Sequence, residues 1–343
     1  MKKLLFVFAA LLLCFLAHSQ EAEGTGSYAE FQVIPRFEYN PYFTPGRSGD
    51  GSSGSSFGNS SVYTLLEGAF SDHVSYTLSN HWFGPDPKPL YSGTLYSNCN
   101  NWLDIAKFDF TFGGFTITLG KDCIASGGFE YDAWDVDVDY LLIGETPLLA
   151  SYLWYNLPSY QWGASVGYSF GEHTSLRAQM TTSPFGERPF VSGLYTYSLQ
   201  WSGNYGPVSN IWSGSAVQRP DGGFEWLIAL SQRAELGDFT LGFDWYNMVD
   251  VDYGIDGEAP CEFIKGNTWR PSVSYAPVEQ FDLALIGNIY TRMGGLYDLN
   301  LGTVFHYRPI KPVQLHAGFG WDLNTKACSA MFGIKVNFSV FSL

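Results

Sequence analysis

The chain has 343 residues, 17% of them aromatic and only 15% charged, with 38 Gly, 22 Tyr, 27 Phe and 11 Trp; 33 acidic residues against 18 basic leave a formal charge of −15. These are the proportions of a β protein and not of an α/β enzyme, and the acidic balance argues against nucleic acid as a partner. Beyond the N-terminal segment no run approaches the ~18 uninterrupted apolar residues of a membrane helix, which excludes a helical membrane protein and leaves a β-barrel open, because alternation hides a lipid face from an averaged hydropathy.

In chain order, residues 1–19 read as a secretory signal. Lys2 and Lys3 form its positive start, Leu4 to Ala17 its apolar run and Ala17-His18-Ser19 its cleavage site, so the mature chain begins near Gln20 with a charge of about −17. Cys14 follows Leu13, where a lipoprotein site would need a small residue.

From Tyr28 onward the sequence breaks into about sixteen segments of roughly ten residues, with 14 or 18 as alternatives. They cover 28–38, 60–70, 73–83, 102–112, 115–121, 160–170, 173–182, 190–201, 205–218, 224–235, 238–248, 267–276, 279–292, 297–308, 312–322 and 328–341. Within each, apolar and polar residues alternate. Phe239, Leu241, Phe243 and Trp245 share one face and Thr240, Gly242, Asp244 and Tyr246 the other; Val313, Leu315, Ala317, Phe319 and Trp321 oppose Gln314, His316, Gly318, Gly320 and Asp322. Period two is a strand with one greasy and one wet face.

A sandwich alternates too, so the connections discriminate. Those after even-numbered segments are short, such as Ser71-Asp72, Gly113-Gly114 and Leu236-Gly237; several odd-numbered ones are long, near 39–59, 84–101, 122–159 and 249–266. Short periplasmic turns, long extracellular loops and an even strand count describe a transmembrane antiparallel barrel, with 20–343 as one domain. Trp82, Trp102, Trp162, Trp201, Trp226, Trp245 and Trp321 fall within or near strand ends, as interfacial girdles require. Residues 48–61, rich in Gly and Ser, read as a flexible outer loop.

The mature cysteines Cys99, Cys123, Cys261 and Cys328 all fall on the long-loop side. Four cysteines allow three pairings; Cys99–Cys123 and Cys261–Cys328 join loops that this topology makes neighbours. Inward positions hold Lys107, Arg177, Arg233, Asp244, Asp282, Arg292 and Arg308, with Gly163, Gly167, Gly242, Gly302, Gly318 and Gly320 making room inside the barrel. His306 and His316 also face inward, and no G-x-S-x-G elbow or glycine-rich phosphate loop accompanies them, so the reading is not an enzyme and carries no cofactor.

The longest connection carries the one motif-like stretch. Ile117 to Lys121, Gly127-Gly128-Phe129-Glu130-Tyr131-Asp132 and Leu157 to Gly163, in that order and spacing, resemble the phosphate-selective porin O and P family in the version common in outer membranes of Bacteroidota; weaker matches extend to Leu241 to Tyr246. The resemblance implies a water-filled barrel in the outer membrane of a Gram-negative bacterium, embedded in outer-membrane lipid, usually a homotrimer, passing small solutes or ions by passive diffusion and narrowed by a loop that folds inward. It places Lys121, Glu130, Asp132, Asp135, Asp137 and Asp139 at the constriction. Phosphate-selective members line their path with many Arg and Lys; here inward bases are few and interspersed with Asp109, Asp244, Asp282, Asp298 and Asp322, so phosphate is not carried over as the solute. The chain also ends Phe341-Ser342-Leu343 where many such barrels end on an aromatic residue.

Residues 130–139 hold five carboxylates and no Lys or Arg. Three readings stay open for them: a cation-favouring pore lining, a solvated outer loop, or a Ca²⁺ site in which Asp-Val-Asp-Val-Asp presents its carboxylates along one side of an extended chain. The sequence thus leads to passive diffusion with a weak cation preference, against the alternative of a plugged, non-conducting barrel that serves as a structural or partner-binding platform.

Overall fold

A computed structural model of the chain describes residues 27–46, 51–83, 103–144, 146–186, 191–252 and 262–343. The signal segment, Cys99 and Cys261 lie outside the described residues.

Sixteen antiparallel staves close into one barrel. They are β1 (Tyr28–Thr44), β2 (Ser61–Ser71), β3 (Val74–Phe83), β4 (Leu103–Phe112), β5 (Phe115–Cys123), β6 (Tyr160–Ser169), β7 (Thr174–Thr182) and β8 (Tyr195–Tyr205), then β9 (Val208–Gln218), β10 (Phe224–Leu236), β11 (Phe239–Asp252), β12 (Glu262–Val278), β13 (Phe281–Arg292), β14 (Gly295–Ile310), β15 (Val313–Asp322) and β16 (Cys328–Val336, continued by Phe338–Ser342). Each pairs with its sequence neighbours, and β1 closes the ring by pairing with both β2 (Ile34 opposite Tyr63) and β16 (Arg36 opposite Lys335). Closure leaves no unpaired edge, the condition for a sheet to stand in lipid.

The alternation read from sequence is the wall itself. Leu119, Leu199, Leu230, Leu241, Leu285, Leu301, Phe319 and Phe332 are exposed large apolar residues on the outer face. A belt of this size would be an aggregation surface in water and is satisfied by lipid. Near the short turns an aromatic girdle packs around it in tilted and edge-to-face pairs: Phe115 with Tyr168 at 4.5 Å, Tyr168 with Phe170 at 4.7 Å, Phe239 with Tyr275 at 4.7 Å and Phe281 with Phe305 at 4.9 Å between ring centroids. The two-residue turns close on glycines such as Gly113 (φ +58°) and Gly237 (φ +64°), which adopt the left-handed backbone without a Cβ penalty.

Several boundaries differ from the sequence reading: β1 runs to Thr44 and not 38, and β8 covers Tyr195–Tyr205 and not 190–201. β12 begins at Glu262, five residues earlier than expected, and β11 runs on to Asp252, so this hairpin stands above its neighbours. Part of the Gly/Ser-rich segment is also ordered. Ser52–Ser56 forms a short strand along Asn40–Thr44, because β1 projects beyond the rim and offers its backbone as a template.

Candidate functional site

Residues 124–159, between β5 and β6, form an inner loop that lies inside the barrel. Its first turns are tied to successive staves. The Ala125 amide donates to Gln179 Oε1 on β7 at 2.7 Å, and Gln179 Nε2 donates to the Cys123 carbonyl at 3.0 Å. Ser126 joins Ser198 of β8 and Ser215 of β9 in a buried triangle of hydroxyls 2.8–3.2 Å apart, while Ser213 donates to the Gly127 carbonyl. Gly128 sits so close to β10 that a Cβ would lie 1.5 Å from Ser231 Oγ, which explains a glycine at the heart of the motif. Next comes α1 (Phe129–Asp132), where the Arg233 guanidinium lies 4.4 Å over the Phe129 ring.

The carboxylates then find partners on the wall. Glu130, 5% exposed, accepts from the Ser151 amide at 2.7 Å and its hydroxyl at 2.6 Å, and stands 3.6 Å from Arg270 of β12. Ser151 in turn caps α2 (Tyr152–Asn156) by accepting from the Trp154 amide. Arg270 also reaches Asp244 at 3.3 Å, and Asp244 pairs with Arg233 at 3.0 Å, so the wall and the loop share one ionic chain. Arg36 of β1 donates to the carbonyls of Val136 and Val138 and pairs with Asp139 at 2.9 Å and Glu38 at 2.6 Å. Asp139 meets His306 at 3.0 Å, and Asp137 pairs with Lys335.

Apolar contacts complete the circuit. Val136 packs with Ile34 and Tyr63; Leu141, Leu148 and Leu149 with Val304 and Met331; and Tyr131, Leu153, Trp154 and Tyr155 with Leu227, Tyr246, Met248 and Phe263. Burying a leucine contributes about 1.5–3 kcal/mol, and four loop leucines here are at most 1% exposed. The loop is therefore docked by its own core and not merely draped over the rim. Gly302 and Gly320 make the room: a Cβ at either would lie 2.4 Å from a methyl of Leu149 or Leu141. Polar ends fix the fit, with Asn288 donating to the Leu148 carbonyl at 2.6 Å, Tyr152 stacked on Tyr290 at 4.2 Å and donating to Asp298 at 2.5 Å, and Asn156 donating to Asp250 at 2.6 Å.

The contacts traced above fall on β1, β2 and β7 to β16. Two residues before Gln179, Arg177 of β7 joins β4 and β5 in an ionic cluster on the adjoining stretch of wall. Lys107 stands 3.6 Å from Asp109 and 3.4 Å from Asp122, Arg177 pairs with Asp122 at 2.6 Å, and Thr118 donates to Asp109. Asp132, exposed at the end of α1, is the loop carboxylate that acts electrostatically on this side, where the positive charge of Arg177 opposes the effect of its partial burial.

The sequence-derived site residues are thus dispersed. Asp132 is exposed; Asp137 is half exposed and held by Lys335; Glu130 is buried and Asp139 partly buried, each beside an arginine. The Asp-Val-Asp-Val-Asp run is not extended as expected, since Asp135–Asp137 is a 3-10 turn that sends Val136 into the core and Asp137 outward. Lys121 shares the outward parity of Ile117 and Leu119, and its Nζ donates to the Leu103 carbonyl, which takes it out of the constriction. Arg233 and Asp244 pair with each other, Arg292 lies 3.8 Å over the Tyr297 ring, and Asp282 and Arg308 line a cavity at the short-turn end. Arg36 and Arg270, two of the basic residues that hold the acidic loop, were missed by sequence reasoning, although their inward parity was readable. Cys123 and Cys328 are free thiols, Cys123 donating to the Tyr131 carbonyl, and their expected partners lie outside the described residues. Among the described residues no group of three or more His, Cys, Asp or Glu is arranged to hold a metal ion.

The loop carboxylates respond oppositely to this setting. Partial burial pushes the Asp132 carboxyl up, against the pull of Arg177. For Asp139 burial acts in the same direction, but the His306 hydrogen bond and the Arg36 charge outweigh it and hold the carboxyl well below the ordinary range. A depressed carboxylate contributes anchoring that is fully present above its unfolded value of about 3.9 and is lost only as pH falls through the lower folded value. On acidification Asp132 therefore neutralises first. The expected result is that ion preference weakens at a pH where the open-channel conductance, which reports the loop's position, is unchanged; paired reversal-potential and conductance titrations check it.

No family model matches the chain, and no curated protein matches its sequence. Solved structures do match. They include a loop-deletion mutant of OmpT, an outer membrane protein of Vibrio cholerae (TM-score 0.60, 11% identity, 91% of this chain and 100% of that one). An anion-selective porin from Comamonas acidovorans matches with TM-score 0.61 at 11% identity over 90% of this chain and 100% of that one, and a mutant of the Rh. blastica porin with 0.58 at 14% over the same shares. At these identities the likeness is one of fold, and the resemblance read from sequence extends to porin-like architecture and not to the O and P family. With its closed wall and lipid-facing belt, the chain is an outer-membrane β-barrel with a porin-like fold.

Proposed function

We propose that this barrel passes small hydrophilic solutes or ions passively across the outer membrane, with a weak preference for cations, along a path between the inner loop and the wall of β4, β5 and β7. The observation that carries the reading is the exposed Asp132 set against Lys107, Asp109, Asp122 and Arg177. Three carboxylates to two cations leave a slight negative excess, and low-dielectric walls focus it. The other loop carboxylates described above, being paired, add little to that field.

Planar-bilayer current under a salt gradient tests the reading. The expected result is ohmic current with a small cation-selective reversal potential, which Asp132→Lys shifts toward anions at little change in conductance. Anion preference in the native protein would overturn the selectivity. A second reading, the non-conducting platform, is favoured by the apolar docking of the loop around most of the wall; electrical silence of correctly folded barrel would establish it over the first.

A further inference from the structure

Below the inner loop, at the short-turn end, lies a cavity of about 340 Å³ lined by Asp137, Asp282, His306, Arg308, Lys311, Gln314, Lys335 and Asn337, with Pro312. In a chain with 33 acidic and 18 basic residues, three cations converge here. Two acids are already engaged: Asp137 by Lys335, and Asp282 by His306 at 3.9 Å. Arg308 and Lys311 have no carboxylate partner among the described residues, and Gln314 and Asn337 add amide donors to the same lining. Unpaired cations beside neutral donors, in a concave polar site enclosed on one side by protein, match a small divalent anion, since Arg offers a planar fork and Lys a point charge. Short turns place this end in the periplasm.

We propose that this cavity is a periplasmic binding site for a small dianion, held by Arg308 and Lys311 with amide donation from Gln314 and Asn337. Lys335 is its latent third cation, because Asp137 occupies it from the loop side. The site is independent of whether the lumen conducts, so its test is separate from that of the channel.

Calorimetric titration of the detergent-folded barrel with sulfate, at constant ionic strength against chloride, should show saturable binding. Arg308→Gln with Lys311→Gln should abolish it, while the heat-dependent gel shift of the folded barrel is retained. Asp137→Asn, which frees Lys335, should tighten binding several-fold. Absence of saturable sulfate binding in the native protein, binding that survives in the double variant, or weaker binding in Asp137→Asn would each overturn the assignment. If the barrel conducts, sulfate added to one chamber alone should reduce the current, and an equal effect from both sides would also count against a site at a single mouth.

Discussion

Gly320→Leu should loosen the inner loop while leaving the barrel folded, giving larger and noisier single-channel currents. Gly320 is on the inner face of β15, where even a Cβ would lie 2.4 Å from Leu141 Cδ2 and 2.9 Å from Leu148 Cδ1. Those leucines are buried to 1% or less and face Val304 and Met331 across a packed cluster, so a leucine side chain has no void to enter. Overpacking costs about 1–3 kcal/mol, and each expelled leucine forfeits a further ~1.5–3 kcal/mol. A penalty near 3 kcal/mol shifts the docked-to-undocked ratio roughly a hundredfold. The wall is spared because its stave pairing is backbone, and β15 keeps its register with β14 and β16. Gly320→Ala serves as the graded control: the atoms it meets are leucine methyls that can rotate aside, so its traces should stay near the native ones. Native conductance and noise in Gly320→Leu would show that the loop does not depend on this contact.

That expectation also marks where sequence reading succeeded and where it ran out. The strands were legible because lipid on one side and water or loop on the other force period two; β15 was expected at 312–322 and runs Val313–Asp322. The inward glycines were legible as room. What occupies the room was not, since Leu141, Leu148 and Leu149 come from a loop whose path follows from contacts more than a hundred residues away. Arg36 illustrates the same limit. Its parity marks it as inward, but its bonds to Val136 and Val138 span 100 and 102 residues, and no local pattern announces them. For that reason the acidic run looked uncompensated: its counter-charges sit on β1, β12, β14 and β16. The short-turn cavity was hidden similarly, because Arg308 on β14, Lys311 in the turn after it and Lys335 on β16 come together only when these staves pair side by side.

Glu130→Lys separates the two views of the loop. If residue 130 faced the aqueous path, reversing its charge would move the reversal potential toward anions at unchanged conductance. In the structure Glu130 is buried between Ser151 and Arg270, accepting both Ser151 bonds and countering the guanidinium at 3.6 Å. A lysine there leaves the Ser151 amide without its acceptor and sets an ammonium beside Arg270. Breaking a buried pair by removing one partner costs about 3–5 kcal/mol, and the like charge adds to it. Ser151 is the cap of α2, so the helix and the Tyr152–Tyr290 stack are released together. The expected result is a change in conductance level and noise, with faster proteolytic cleavage within 124–159, and a reversal potential that scatters with the loop and does not shift cleanly. Glu130→Gln, which keeps an acceptor for the Ser151 amide and loses only the charge toward Arg270, should fall between native and Lys. Asp132→Lys, two residues on and exposed, should do the opposite: a clean selectivity shift at native conductance. A Glu130→Lys channel with native conductance and a shifted reversal potential would place that carboxylate on the path and dismantle the docked core built around it.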